Sequence, residues 1–376
     1  MRRWSCLPRT REPPAPRWPE PAVVDRITET SARPTMREVA AIAGVSLKTV
    51  SRVVNNEPRV NPDTAERVRR AIAELGFRVN YGASNLKRGA STATIGLVIE
   101  DVANPFFSVI ARAVEEVARD HSHLLVTASS DESGEREREV IDILVSRRLD
   151  GLIVVPAGRD HRFLLSEIRM GTPVVFVDRP PGRLEADTVL LDNVGGARQA
   201  TDHLLARGHR RIGVLLDRHE VYTLGPRLEG HRQSMREARL GLDEALLRYD
   251  CHNADDAMAA VHDLLAIPDP PTAIFATNNR MCVGAVRALA DRGLGTAPVA
   301  LVGFDDFELA EVLSPPVTVV AYDLTAMARR AAEILFDRIA GDARPPRRVV
   351  MPTWLIARGS GEVPRPDSAR PPGDLR

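Results

Sequence analysis

The chain has 376 residues, 44% of them hydrophobic and 27% charged, the balance of a globular protein rather than a disordered or membrane-embedded one. Its 51 Lys and Arg cancel its 51 Asp and Glu, so net charge alone points to no polyanionic partner. Three scattered cysteines, Cys6, Cys251 and Cys282, exclude a disulfide framework and a Cys-based zinc site. No stretch reaches the ~18 apolar residues of a membrane helix, and Pro8, Pro13, Pro14, Pro16 and Pro19 break up any signal-peptide core, so the cytoplasm is the expected compartment.

The charge balance hides a segregation. Residues 36–90 carry ten cations against five anions, residues 1–35 carry a net +3, and the remainder is left with −8. The chain has only two lysines, Lys48 and Lys87. A basic module on an acidic body suggests a nucleic-acid-binding head, although a solvated helical face would give the same count.

In chain order, residues 1–33 are rich in Pro and Arg and are expected to be disordered. Thr35-Met36-Arg37-Glu38 has the form of a capping box opening a helix that stops at Gly44. Ser46 then caps a second helix from Leu47 to about Val54, and Asn61-Pro62 starts a third that ends at Gly76. From 94 onward, apolar runs at 94–100, 123–129, 151–156, 173–178, 211–216, 272–277 and 299–304 read as buried parallel strands. Amphipathic segments at 106–119, 135–147, 195–207, 227–239 and 280–291 read as the helices between them. The alternation predicts a doubly wound α/β architecture long enough for two lobes.

Two helices joined by a Gly-containing turn and followed by a third make a helix-turn-helix, whose second helix reads base edges from its N-terminal end. Leu47 and Lys48 occupy that end, with Arg52 one turn on. Lys and Arg suit guanine O6 and N7, and Leu47 suits a thymine methyl. Thr35, Ser46, Thr49 and Ser51 are the candidates for phosphate contacts.

With AGVS, TVSRVVN and the V-x-x-x-T-x-x-x-V spacing on view, residues 35–80 resemble the headpiece of LacI/GalR-family transcriptional regulators. The resemblance continues through IGLVIEDVANPFF, RRLDGLIV, DNVGGARQAT, LLARGHRRIGVL, RLEGHR and LVGFDDFELA, so it covers roughly residues 34–360. It implies a headpiece at 34–78, a hinge at 79–90, a two-lobed core at 91–360 similar to periplasmic sugar-binding proteins, and a disordered tail at 361–376. It also implies that Leu86, beside Lys87, wedges into the minor groove and kinks the operator. This hinge departs from the common pattern, with Val79 for a usual Pro and Ser84 for a usual Arg.

By the same resemblance an effector lies between the lobes. Asp178, Asn278 and Asp305 end predicted strands, Arg227 opens the helix of RLEGHR with Thr223 just upstream, and Phe106 and Phe107 follow the first strand. Open α/β sheets bind ligands beyond the carboxyl ends of their strands, although Asp and Asn there also cap helices. Asn279 stands where the family usually has Asp. The resemblance implies a homodimeric repressor of pseudo-palindromic operator DNA, controlled by a small ligand, most simply a sugar. No leucine heptad follows residue 360, which favours a dimer over a tetramer. A solute sensor without operator binding is the rival reading. No catalytic motif, metal-ligand set or cofactor motif is present, and Cys251-His252 reads as unpaired core or surface.

Overall fold

Among the described residues, three helices build the first unit of the chain. In the computed structural model, which describes residues 34–54, 57, 60–77, 92–291 and 299–365, the described residues up to 77 form one unit and those from 92 onward another. The expected hinge, with Leu86 and Lys87, and the extension 1–33 lie outside the described residues.

Helix α1 spans Met36–Ala43, α2 Leu47–Val54 and α3 Pro62–Leu75. The capping box closes as expected: the Thr35 side chain accepts from the Glu38 amide, and the Glu38 carboxylate accepts from the Thr35 amide at 2.6 Å. Gly44 ends α1 with φ at 61°, a left-handed conformation that glycine adopts without a Cβ penalty. The turn to α2 is therefore short, and Val39, Ala43, Val50, Val53, Val68, Ala71 and Phe77 close into one small core.

The second unit contains two six-stranded sheets. Strands β1 (Thr94–Ile99), β2 (Leu124–Ser129), β3 (Gly151–Val154), β4 (Val174–Val177), β5 (Asp187–Leu191) and β11 (Arg348–Met351) make the first, all parallel, in the order β11-β5-β4-β3-β1-β2. The second orders β12-β10-β9-β8-β6-β7, from β6 (Ile212–Leu215), β7 (Leu247–Arg248), β8 (Ala273–Ala276), β9 (Ala300–Phe304), β10 (Thr318–Ala321) and β12 (Trp354–Ile356), and only β12 runs antiparallel. The two-lobed, doubly wound α/β architecture is the expected one. Central strands are buried along both faces, which is why they read as unbroken apolar runs.

Helices cover both faces of each sheet. Helix α4 (Pro105–Asp120) lies on one face of the first sheet, α5 (Gly134–Ser146) and the short α6 (Leu165–Arg169) on the other. In the second lobe α7 (Asn193–Ala206) and α8 (Leu224–Glu237) share one face, and α9 (Ala254–Leu264) and α10 (Asn279–Asp291) the other. The chain passes between lobes three times. It leaves the first after β5, returns for α11 (Leu324–Ile339) and β11, and crosses back for β12.

Three differences from the sequence reading have physical causes. Strands β5, β7, β11 and β12 carry no long apolar run: β5 opens on Asp187-Thr188, β7 has two residues, and β11 alternates exposed and half-buried positions at a sheet edge; β10 also falls outside the sequence reading, although Thr318–Ala321 is buried throughout. Helix α8 starts at Leu224, so Arg227 lies inside its first turn rather than opening it. The tail does not begin at 361. Gly361 is buried, the Thr318 hydroxyl donates to Glu362 at 2.8 Å, and the Val363 carbonyl sits 2.8 Å from the His209 ring, which pins residues 361–365 to the second lobe.

Candidate functional site

The headpiece presents one polar face. Val50 and Val53 turn α2 inward, so i, i+4 spacing leaves Lys48 and Arg52 on the outer side. Leu47 is 47% exposed, an apolar side chain that packing does not account for. The Ser46 and Thr49 hydroxyls lie 2.9 Å apart, and Ser46 accepts from the Thr49 amide at 3.2 Å, capping α2. Arg52 reaches Glu57 at 3.5 Å; both are well exposed, so the pair holds Arg52 by only about 0–1 kcal/mol. Ser51 is half-buried, and Thr35 spends its hydroxyl on the Glu38 carboxylate at 3.0 Å.

The other candidates converge at the carboxyl ends of the strands in both lobes. Phe106, Phe107, Asp178, Thr223, Arg227, Asn278 and Asp305 all border one cavity of about 40 Å³, room for a few waters. Asp178 follows β4 and Asp305 follows β9, and both have left-handed backbones, with φ at 69° and 70°. That conformation is uncommon for a residue with a Cβ and collects at functional positions.

Arg227 is the organising cation. Its Nε donates to Asn193 Oδ1 at 2.8 Å, Nη2 to Asp305 Oδ1 at 3.4 Å, and Nη1 to the Thr277 carbonyl. The guanidinium carbon stands 3.7 Å from the centre of the Phe304 ring, close enough for cation–π attraction. Tyr322 donates to the same Asp305 oxygen at 2.8 Å, and burial holds its phenol far above the usual range. Burial also pushes the Asp178 carboxyl up, against the pull of Arg179 and Arg227. Its Oδ1 is buried and has no hydrogen-bond partner.

Two candidates divide their work. Asn278 uses Oδ1 to cap α10 at the Met281 amide, 2.8 Å away, and donates with Nδ2 to Asp217 at 3.2 Å. Phe107 is 2% exposed and belongs to the first lobe's core, whereas Phe106 is half-buried and meets it edge-on, ring centres 4.9 Å apart. Asn279 donates across the cleft to Asn104 Oδ1 at 3.0 Å; an Asp in its place has no such donor.

Sequence reasoning missed a second polar cluster. His252 is not unpaired: its Nδ1 lies 3.0 Å from Asp217 and its Nε2 3.9 Å from Glu100 in the opposite lobe. The Asp217 hydrogen bond raises the His252 pKa. Arg280 joins Asp101 at 2.5 Å and Glu100 at 3.6 Å, again across the lobes. Arg179 donates to Glu100 at 3.2 Å and to Glu132. Burial, with Glu132 adjacent, pushes Glu100 up to about 7. Glu100 directly follows β1 and Asp217 lies two residues past β6, so both stand at strand ends as Asp178 and Asp305 do. Among the described residues no group of three ligating side chains is placed to hold a metal.

Comparison with known proteins agrees with both units. Residues 35–80 match the bacterial regulatory proteins of the lacI family, and residues 201–361 match a periplasmic binding protein-like domain. The HTH-type transcriptional regulator CelR of Thermobifida fusca is 36% identical over 341 residues, covering 89% of this chain and all of the relative. GalS of Salmonella typhimurium is 35% identical over 82% of this chain and 90% of its own. A solved CelR–cellobiose complex superposes with a TM-score of 0.65 at 34% identity, over 87% of this chain and 100% of that one. A Lac repressor dimer bound to operator and an anti-inducer superposes at 0.77 with 25% identity, over 88% and 99%. A helix-turn-helix headpiece ahead of a two-lobed binding-protein core is thus accounted for along nearly all of the described chain, which belongs to the LacI family of DNA-binding transcriptional regulators.

Proposed function

We propose that this regulator is a cytoplasmic repressor that binds a pseudo-palindromic operator as a homodimer and is controlled by a sugar or sugar derivative held between its lobes. Each headpiece reads a half-site with Leu47, Lys48 and Arg52, and anchors to phosphates through Thr35, Ser46, Thr49 and Ser51. Leu86 and Lys87 of paired hinges enter the minor groove at the centre. Phe106, Asp178, Thr223, Arg227, Asn278 and Asp305 contact the effector, and Phe107, also at the cavity border, backs Phe106 from the core. The observation that carries the reading is the buried Arg227–Asp305 pair on the cleft wall, opposite Asp178 from the other lobe. A cation and two carboxylates at strand ends suit vicinal hydroxyls. A cavity of about 40 Å³ admits a sugar only as the lobes part, so ligand binding is linked to lobe position, and reciprocally to operator affinity. CelR, solved with cellobiose, and the operator-bound Lac repressor dimer support the same arrangement.

The test is operator selection from random duplex DNA with the full chain, binding of the selected site across salt, and then release by cellobiose and other sugars. The expected result is a pseudo-palindrome with a steep salt slope and loss of binding on adding one sugar. Weak, sequence-indifferent binding would overturn the operator role. Gel phasing of Leu86→Ala should show a reduced operator bend; an unchanged bend removes the wedge.

A further inference from the structure

The cleft contains more acid than it can neutralise. Glu100, Asp178, Asp217 and Asp305 form its walls, and Asp101 and Glu132 stand directly behind. Against these six carboxylates are three guanidiniums, each already committed. Arg179 faces Glu132, Glu100 and Asp178; Arg227 faces Asp305, Asn193 and the Thr277 carbonyl; Arg280 faces Asp101 and Glu100. His252 lies between Asp217 and Glu100. No lysine stands among the described residues from 92 onward, which supply the whole lining of the cavity.

A second observation points the same way. Asp178 is 4% exposed and borders the cavity, yet its Oδ1 meets no donor. An unpaired buried acceptor is costly until something donates to it. A hydroxyl does so; a phosphate or carboxylate group has no proton to give at neutral pH and adds charge of the wrong sign. Sites built for anions instead offer uncommitted Arg or Lys side chains, and two of the three helix starts at this cavity are already capped, by Asn104 and Asn278.

We infer that the cleft selects an uncharged polyol and rejects the phosphorylated or carboxylated form of the same molecule. The inference rests on the effector reading above and narrows it: sugar phosphates, aldonates and uronates are excluded, so the effector is a sugar in the state that precedes phosphorylation or oxidation. Charge placed within about 6 Å of an acidic wall at an effective dielectric near 20 makes the anionic partner at least about a hundredfold weaker.

The test uses full-length protein on its selected operator and matched pairs: cellobiose with cellobionate, glucose with glucose 6-phosphate, galactose with galacturonate. Binding is followed by calorimetry and by operator release. At pH 8, where Glu100 is ionised, binding confined to neutral members, with the anionic deficit shrinking about tenfold in Glu100→Gln and at high salt, is the expected result. An anionic member that binds as tightly as its neutral partner overturns the inference and leaves the sugar reading intact. A deficit untouched by both Glu100→Gln and salt shows exclusion by shape and overturns the electrostatic account. If no member of any pair binds, the sugar reading itself falls, and the charge rule with it.

Discussion

Replacing Arg227 by Ala is the most demanding test of the cleft. The side chain is 4% exposed, and the change removes its hydrogen bonds to Asn193, Thr277 and Asp305 and its stacking on Phe304. It also strands Asp305, itself 6% exposed, beside a buried Asp178. Breaking a buried ion pair from one side costs about 3–5 kcal/mol, chiefly because the surviving charge keeps its desolvation penalty. With a urea dependence of about 2–3 kcal/mol per molar, the unfolding midpoint should fall by about 1–2 M. Urea titrations followed by far-UV circular dichroism measure this directly. The double variant Arg227→Ala/Asp305→Asn removes the stranded charge and should recover more than about 1 kcal/mol. Operator binding by Arg227→Ala should survive while its response to any effector is lost. A stability loss under about 1 kcal/mol, or strictly additive single and double variants, would refute the claim that these two charges hold each other.

Lys48→Ala should cost about 1–3 kcal/mol of operator affinity and relax specificity at one base pair, read by selection with the variant; a uniform loss across sequences would make Lys48 a phosphate contact instead. Gly230→Ala should lower the melting temperature, since a Cβ there would meet the Val194 carbonyl and lie 2.8 Å from Ala197 Cβ where α7 and α8 touch, an overpacking cost of about 1–3 kcal/mol. Glu100 carries a pH signature. Its pKa rises from 4.5 to about 7 on folding, so its stabilising contribution is fully present below 4.5 and is lost as pH rises through about 7. His252, also raised, adds a loss in the same direction. From pH 5 to 8 the melting temperature of Glu100→Gln should gain steadily on that of the wild type; a constant difference would show that Glu100 does not titrate there.

The sequence was most legible where one local rule decides the structure. The capping box at Thr35 and Glu38, the left-handed Gly44 and the Asn61-Pro62 start need only a few neighbouring residues, and each stands as expected. Strand-end logic points to Asp178, Asn278 and Asp305, and all three border one cavity. Glu100, at the end of the predicted strand 94–100, and Asp217, just past the run 211–216, obey the same logic, but their partners Arg179, Arg280 and His252 are distant in sequence. His252 was illegible for a different reason. It follows a two-residue strand with no apolar run, and its role depends on Glu100, 152 positions earlier in the chain and in the other lobe. Arg280 is similar, since nothing near it in sequence announces Asp101. Nor does any local pattern reveal that residues 324–351 belong to the first lobe, because an apolar helix face fits either sheet.

That return of the chain governs how the protein can be made. Synthesis delivers β1 to β5 together, but the face of their sheet that receives Met327, Ala331, Ile334 and Leu335 waits for a helix encoded more than a hundred residues later. At ribosomal speeds of about 5–20 residues per second, the delay to Met351 is roughly 10–30 s. Throughout it the nascent first lobe exposes Ile153, Val175 and Val189, side chains that end fully buried. A premature stop between residues 192 and 323 therefore does more than truncate the second lobe. It releases a first lobe that lacks a wall, and such a fragment is a substrate for chaperones and proteases rather than a constitutive repressor.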